Sequence, residues 1–280
     1  MSAQDLILSK IGDDDGVASS SSFSQLVTNH QSTLHHIQLC YKDFSIHLSK
    51  LVLYSFTDIL SHQSHVFITT NLNVFSTTTR SSLISTLPSS TPISFSNLQL
   101  YPGALRILNT PNAGGSSIWS ETLSAELLYR LIGATVLLTE MELVYCRRGS
   151  PITDYACQVV SDGKIITLGV SVTRAMAYRR PFNKTDALSL LTKKLKGINV
   201  SSSTVVNCSF DRQILHVWCQ SGRDAAIVKR TWSKLPSLLR SNTLVLVSTI
   251  NSSHLFFEPQ HDNRSMLKEK KKVMPFKKWF

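Results

Sequence analysis

A single acidic residue, Asp154, lies near the start of one strand-like segment, and Ser171-Val172-Thr173-Arg174 lies on the next. Carboxylate oxygens are the protein ligands that Mg²⁺ prefers, and a bound Mg²⁺ can orient a phosphate and an attacking water. Glu140 and Glu142 belong to the preceding strand-like run, where they share one face. That face could approach Asp154 and hold a metal, or it could simply be solvated.

Basic residues follow this acidic position closely along the chain. Four of them flank the end of the third strand-like run, namely Arg174, Arg179, Arg180 and Lys184. Lys193 and Lys194 lie on the outward face of the helix predicted next. These six cations could line an edge that binds phosphate groups, or they could be ordinary solvated charge.

The net charge of +11 is unevenly distributed. The region before Tyr101 is slightly acidic, so the basic excess lies after it, and part of it is dense in the tail Arg264–Phe280. Such a distribution favours a polyanionic partner such as DNA or RNA, because each neutralised phosphate releases counterions. A merely soluble basic surface is the alternative.

Composition excludes several classes of protein. The 42% apolar content is ordinary for a chain that buries a core, and no run approaches the ~18–20 apolar residues of a membrane span. The five cysteines form no Cys-x-x-Cys pair, which favours a reducing compartment and argues against a zinc site. We expect an intracellular protein of the nucleus or cytoplasm, with no membrane partner.

Local patterns predict the elements that must position these residues. Asp162-Gly163 separates two β-rich runs and predicts a hairpin, so three strands should form an antiparallel meander after a helix at Ser120–Leu131. The three predicted strands are Glu140–Arg147, Pro151–Val160 and Lys164–Ala175. The elements predicted after them are helix Asn183–Lys196, strand Gln213–Cys219, helix Gly222–Arg240 with a break at Pro236, and strand Thr243–Ile250.

The chain divides into five regions by composition. Residues 1–20 are predicted to be a disordered leader, and residues 21–75 a helical or mixed region. Within the latter we expect one or two helices between Ser24 and Ser61 and a strand at Val66–Phe75. A Ser/Thr/Pro-rich linker at 76–112, a domain at 113–258 and a basic tail at 259–280 follow.

The order helix, three strands, helix, strand, helix, strand, with a lone aspartate at the second strand, resembles the PD-(D/E)XK nuclease-like superfamily. The resemblance to this restriction-endonuclease-like group covers roughly Ser117–Ile250. It implies an α/β fold, in which a central mixed sheet containing the antiparallel meander is flanked by helices, here with an N-terminal extension. In that superfamily the first helix often supplies a glutamate, strand two an aspartate, and strand three a carboxylate and a lysine.

Carried over residue by residue, the resemblance implies that Glu126 is the helix glutamate and that Asp154 is the first aspartate, with Thr153 in place of the motif's proline. Ser171 and Thr173 occupy the positions of the second carboxylate and the lysine. A hydroxyl is a weak Mg²⁺ ligand, and threonine carries no charge. Lys193 or Lys194 could supply an ammonium group from the second helix instead. The implied catalytic set is Glu126, Asp154, Ser171 and Thr173, and the implied metal ligands are Glu126, Asp154 and Glu142.

The sequence therefore predicts a nucleic-acid-associated protein with a PD-(D/E)XK-like domain whose nuclease site is degenerate. One alternative is an active Mg²⁺-dependent endonuclease that uses Asp154 with Glu126, Glu140 or Glu142. A second alternative is a non-catalytic module that binds only protein. Mg²⁺ is expected only if the site is active, so the sequence leaves open whether the protein is an enzyme.

Overall fold

The structure is a computed structural model that describes three N-terminal strands and most of the chain from residue 98 to residue 256. The described ranges are 36–40, 44–49, 67–74, 98–111, 117–161, 163–241, 243–250 and 252–256. The predicted leader at 1–20, the serine-rich segment at 76–97 and the basic tail at 259–280 lie outside these residues. Within them, no helix combines the length and apolar character that crossing a membrane requires.

The described residues form eight strands and six helices. The strands are β1 His36–Cys40, β2 Phe44–Ser49, β3 Phe67–Val74, β4 Thr135–Thr139, β5 Tyr155–Ser161, β6 Lys164–Ala175, β7 Arg212–Cys219 and β8 Thr243–Ile250. The helices are α1 Pro102–Asn109, α2 Ile118–Ile132, α3 Lys184–Thr204, α4 Gly222–Trp232, α5 Ser237–Arg240 and α6 Ser253–Phe256.

All eight strands belong to one open mixed sheet in the order β1-β2-β3-β8-β7-β6-β5-β4. Its four central strands β3, β8, β7 and β6 run parallel to one another, whereas the pairs β1–β2, β2–β3, β4–β5 and β5–β6 are antiparallel. The parallel strands β7 and β8 are almost entirely buried, as expected for strands covered on both faces. The predicted α/β class, with a mixed sheet flanked by helices, is confirmed.

Helices cover both faces of this sheet. On one face, residues of α1, α2 and α6 pack with sheet residues such as Tyr155 and Trp218. On the other face, α3 and α4 pack with residues such as Val217 and Val247. Alternate residues of β6 therefore point into different cores, with Val172 toward α2 and Ala175 toward α3.

The predicted meander is confirmed, because β4, β5 and β6 are consecutive antiparallel neighbours. Ser161 pairs with Lys164 across a two-residue turn, where Gly163 has the positive φ of 74° that glycine accommodates without strain. The bounds of β6 and β8 are those predicted, and the strand predicted at Val66–Phe75 is β3.

The first strand of the meander was predicted at the wrong place. It is Thr135–Thr139, and Glu140–Arg147 instead forms turns and a single bridge between Tyr145 and Val205. The second strand begins at Tyr155 rather than at Pro151, because the Thr153 N–H donates to the Tyr145 hydroxyl instead of joining a ladder. Apolar and polar residues alternate in this turn region, and this two-residue period led to the prediction of a strand.

The helices predicted between Ser24 and Ser61 are also contradicted where the structure describes that region. Strands β1 and β2 form an antiparallel pair there. The segment Phe44–Ser49 alternates apolar and polar residues, which is the two-residue period of a strand, and this signal should have outweighed the looser helical spacing. Helix α1 lies inside the predicted linker at 76–112 and was not predicted.

The helix after β6 is longer than predicted, and the helix after β7 is divided. Helix α3 starts beyond the N-cap Asn183, which forms a reciprocal capping box with Asp186, and it continues to Thr204. Helix α4 ends at Trp232, and α5 starts after Pro236, whose ring prevents a continuous helix.

Candidate functional site

The sheet has a gap beside the last residues of β6, because β6 extends beyond the first residue of its neighbour β5. Tyr155 pairs with Val170, but β6 continues to Ala175 without a β5 partner. Side chains satisfy the backbone of Val172 in this gap. The Asp154 carboxylate accepts the Val172 N–H, and the Lys194 ammonium group on α3 donates to the Val172 carbonyl over 2.9 Å. The Asp154 N–H donates to the Val170 carbonyl over 3.0 Å, which fixes the aspartate at this point.

Helix α2 brings a second carboxylate to the same gap. Glu121 is only 4% exposed, and its charge interacts with those of Asp154, Glu140 and Lys194. Burial, and after it the neighbouring Asp154, raise the pKa of Glu121 from 4.5 to about 7, although a hydrogen bond with Ser117 opposes the change. We call Glu121, Glu140, Asp154 and Lys194 the acidic site.

Burial also raises the pKa of Asp154 above its usual value of 3.8, while Lys194 and the Val172 N–H act in the opposite direction. Two carboxylates in a poorly solvated gap cannot both ionise at low cost, so one proton is favoured between them near neutral pH. The Lys194 ammonium group offsets part of their mutual repulsion. The acidic site can therefore hold a proton or bind a cation, and both properties depend on the position of α2.

Buried hydrogen bonds fix α2 on the sheet. The Trp218 indole N–H donates to the Ser120 carbonyl over 3.0 Å, one residue before Glu121. The His216 ring nitrogens lie 2.7 Å from the Ser124 hydroxyl and 2.8 Å from the Ser248 hydroxyl. Burial lowers the pKa of His216 to about 3, so the imidazole is neutral. Because the three side chains of this network are fully buried, it positions the helix and is closed to a substrate.

The structure does not bring Glu126 to Asp154. Its carboxylate accepts the Arg130 Nε–H over 2.5 Å and the Tyr101 backbone N–H over 2.8 Å. These contacts join α2 to the segment that starts α1. Glu121 and Glu126 are five residues apart, about 140° around a helix, so they cannot serve the same site. The glutamate of α2 whose charge interacts with that of Asp154 is Glu121.

Glu142 lies apart from the acidic site as well. It accepts two hydrogen bonds of 2.6 Å from the Arg106 guanidinium and one of 2.8 Å from the Thr139 N–H. The hydrogen bonds from Arg106 are the main reason that the pKa of Glu142 is lowered. The predicted metal ligands Glu126 and Glu142 thus serve as partners of arginines. Glu140, by contrast, contributes charge beside Glu121, although it lies in a turn and not on a strand.

Ser171 and Thr173 lie on β6 as predicted, and both sit one residue from Val172. Ser171 is buried and Thr173 is half-buried. Because side chains alternate along a strand, both point toward the α3 face, with Ala175, and not toward α2, with Val172. The part of β6 that contacts the acidic site is the Val172 backbone. Ser171 and Thr173 contribute neither a carboxylate nor an ammonium group to it.

The six predicted nucleic-acid-binding residues fall into two groups. Three are engaged within the protein. Arg174 donates to the Leu255 carbonyl over 3.0 Å, Arg180 forms two hydrogen bonds of 2.6 Å with Asp186, and Lys194 belongs to the acidic site. The other three, Arg179, Lys184 and Lys193, have exposed side chains on the loop before α3 and on α3 itself.

Sequence reasoning missed Glu121, although a signal was present. Ser120 and Ser124 flank it on a helix whose residues from 120 to 128 are all buried. A glutamate inside such a stretch requires a polar environment or a proton, because an uncompensated buried charge is costly. The helical stripe of leucines did not reveal this environment, because the charged neighbours Asp154, Glu140 and Lys194 belong to other parts of the chain.

The acidic site fits a divalent cation only in part. Mg²⁺ is commonly held by one or two carboxylates together with water and substrate phosphates, which Glu121 and Asp154 could provide. However, the Lys194 ammonium group already lies beside them and occupies the Val172 carbonyl. Among the described residues, no three histidine, cysteine, aspartate or glutamate side chains converge closely enough to hold a metal ion.

Comparison with known proteins shows a similarity over part of the chain. No family model matches the chain, and no solved structure matches it. The chain is 41% identical over 163 residues to a Dictyostelium discoideum protein described as "AAC-rich mRNA clone AAC4 protein". The match covers 55% of this chain but only 23% of that protein. The chain thus spans under a quarter of the length of this relative, and the description names no activity.

Proposed function

We propose that the protein binds nucleic acid through a restriction-endonuclease-like core whose nuclease site is degenerate. The observation that carries the proposal is the acidic site beside β6. Glu121 and Asp154 come from different elements and lie close enough for their charges to interact, at the place where β5 separates from β6. Hydrolysis of a phosphodiester by such a core needs carboxylates at this place, together with an ammonium group.

Two features support the degenerate form of the site. Ser171 and Thr173 supply no charge, and the strand directs them toward α3. Lys194 already donates to the Val172 carbonyl and interacts with Asp154, so a cation that entered the site would compete with the protein's own ammonium group. We therefore propose a protein that retains the restriction-endonuclease-like core but lacks a complete set of metal ligands.

The distribution of charge supports a nucleic-acid partner. The basic excess lies after Tyr101, and Arg179, Lys184 and Lys193 present exposed cations on the loop before α3 and on α3. Exposed cations attract the phosphate backbone independently of its sequence. An intracellular location, in the nucleus or the cytoplasm, belongs to the same proposal.

The test uses the full chain with labelled DNA and RNA, single-stranded and duplex, in Mg²⁺, in Mn²⁺ and in EDTA. We expect binding at low salt that does not require a metal, and no cleavage with either metal. Metal-dependent cleavage that is lost in Asp154→Asn would contradict the degenerate site. Failure to bind any of the nucleic acids would contradict the proposal as a whole and favour a module that binds only protein.

An active Mg²⁺-dependent endonuclease is the second candidate, because Lys194 supplies from α3 the ammonium group that Thr173 lacks on β6. In that case Glu121 and Asp154 hold the metal, and Lys194 orients the attacking water. Lys194→Met would then abolish cleavage, whereas Lys196→Met, two positions along the same helix and exposed, would preserve it. Equal cleavage by the two variants would exclude this mechanism.

A further inference from the structure

The loop between β6 and α3 exposes side chains that proteins usually bury. Tyr178 is 79% exposed, and Met176 is 45% exposed. A tyrosine ring carries a large apolar surface, and most of that surface is normally covered in a folded chain. An exposed ring on an ordered loop is therefore a feature that requires an explanation.

Both ends of this loop are anchored. Ala175 and Phe182 are buried in the core between the sheet and α3. Just beyond Tyr178, Arg180 forms two hydrogen bonds of 2.6 Å with Asp186, whose carboxylate also accepts the Asn183 N–H in the capping box of α3. The loop thus holds the ring outward from a fixed frame.

The backbone at the tip supports the same conclusion. Arg179 has a φ of 54°, in the left-handed region that non-glycine residues seldom adopt. Such a conformation is energetically unfavourable and is found most often at functional sites. It places the Arg179 guanidinium 4.9 Å from the centre of the Tyr178 ring, so a cation and an aromatic face are presented together.

The charge of the loop is positive. Between Met176 and Asp186 the chain carries Arg179, Arg180 and Lys184 against the single carboxylate of Asp186, which Arg180 already engages. Arg179, which lies beside the ring, and Lys184 are both exposed. This combination fits a polyanion that also presents flat aromatic groups.

The loop also continues the strand that enters the acidic site. Three residues separate Val172 from Ala175 at the end of β6, a rise of about 10 Å along a strand. A ligand bound at Tyr178 could therefore extend along β6 toward Asp154 over a distance of a few nucleotides.

We propose that the loop Met176–Lys184, whose last residue is also the first residue of α3, binds single-stranded nucleic acid, with an unpaired base stacked on Tyr178 and neighbouring phosphates contacted by Arg179 and Lys184. The inference rests on the proposed function and specifies its ligand. A single strand is favoured because the face of a base is accessible to an aromatic side chain only when the base is unpaired. In a duplex the bases cover each other, and Tyr178 would have nothing to stack on.

The test measures the binding of labelled single-stranded DNA and RNA of about 12 nucleotides, and of the matching duplex, to the full chain in EDTA. We expect Tyr178→Ala to weaken single-strand binding by at least about tenfold and to leave duplex binding unchanged. Tyr178→Trp should preserve single-strand binding, because indole also stacks. Leu238→Ala is the matched control, since Leu238 is 88% exposed on α5 and has no assigned role.

The outcomes separate this inference from the proposed function. If the wild-type protein binds single strands and Tyr178→Ala binds as tightly as Leu238→Ala does, the loop is not the site, while nucleic-acid binding stands. If the wild-type protein binds neither single strands nor duplex, both proposals fail. If Tyr178→Ala weakens binding to polyglutamate as much as binding to single strands, the loop recognises anions in general, and base stacking is excluded.

Discussion

At the scale of residues, the acidic site depends on one backbone position. Val172 has lost its β5 partner, so Asp154 satisfies its N–H and Lys194 its carbonyl. An unpaired polar group in the backbone of a buried strand would be costly, and here charged side chains take the place of the missing ladder. The same arrangement brings Asp154 and Lys194 close to the buried Glu121. Burial, and after it the charge of Asp154, raise the pKa of Glu121, whereas Lys194 acts in the opposite direction.

The raised pKa of Glu121 predicts a pH-dependent stability. The folded state keeps the proton up to about pH 7, whereas the unfolded chain releases it near pH 4.5, so raising the pH between these values favours unfolding. Glu121→Gln lacks this effect. Its free energy of unfolding relative to the wild type should rise by on the order of 2 kcal/mol from about pH 5 to about pH 8, as measured by urea denaturation.

Glu142→Gln is the control for this measurement. The pKa of Glu142 is lowered by Arg106, so its contribution to stability is present above about pH 4.5 and is lost only as the pH falls through its lower folded-state pKa. The stability difference between Glu142→Gln and the wild type should therefore stay constant between pH 5 and pH 8. A constant difference for Glu121→Gln as well would show that Glu121 does not hold its proton.

At the scale of elements, Glu126 belongs to the joint between α1 and α2 and not to the acidic site. Tyr101 stacks on Tyr129 with ring centroids 4.1 Å apart, and the Glu126 carboxylate binds both the Tyr101 N–H and Arg130. Arg130 also donates to the Gln99 carbonyl over 2.8 Å. Glu126 therefore holds the chain entering α1 against α2.

This role predicts that Glu126→Gln is a stability variant. Its carboxylate is buried, so the loss of its charge removes the ion pair with Arg130 and weakens the hydrogen bond from the Tyr101 N–H. We expect a loss of about 1–3 kcal/mol in the free energy of unfolding, with unchanged affinity for nucleic acid among the molecules that remain folded. Lost binding or cleavage at unchanged stability would instead place Glu126 in the functional site.

At the scale of the whole molecule, one sheet connects the N-terminal strands to the acidic site. Residues Phe67–Leu72 of β3 pair in parallel with Val245–Ile250 of β8, and β8 in turn is bound to β7 and β6. The loop Met176–Lys184 follows the carboxyl end of the parallel strand β6, the kind of edge at which ligands commonly bind in α/β sheets.

The net charge of +11 predicts that the proposed binding is sensitive to salt. If Arg179, Lys184 and Lys193 each neutralise one phosphate of a single strand, the logarithm of the affinity falls with the logarithm of the salt concentration with a slope of about −2. Between about 50 and 200 mM salt the affinity should fall roughly 20-fold, as measured by fluorescence anisotropy.

A matched pair of variants tests which cations carry this dependence. Arg179→Ala should reduce the slope by about 0.7, while Arg230→Ala should leave it unchanged. Arg230 is also exposed, but it lies in the last turn of α4. Helix α4 begins just after the carboxyl end of β7 and runs back toward the amino ends of the parallel strands, away from the loop Met176–Lys184. An affinity that is insensitive to salt would rule out phosphate contacts by these residues.

The sequence by itself determined the features that depend on near neighbours in the chain. The turn at Gly163 and the two-residue period on either side of it specify the β5–β6 hairpin, and Asn183 with Asp186 specifies the start of α3. Local patterns were misleading at Glu140–Arg147, whose apolar and polar residues alternate as they do in a strand. There the Thr139 N–H and hydroxyl donate hydrogen bonds to the Glu142 carboxylate and close a turn. They also gave no sign of α1.

Only the tertiary structure decided which residues share the acidic site. The rotation of α2 is fixed by Trp218 and His216, which contact it from 98 and 92 residues farther along the chain, and this rotation selects Glu121 over Glu126. Asp154 and Lys194 likewise meet at Val172 across 18 and 22 residues. A local sequence pattern indicates that a helix has a buried face. It does not indicate how the helix is rotated about its axis against the sheet, because the residues that fix this rotation belong to other elements.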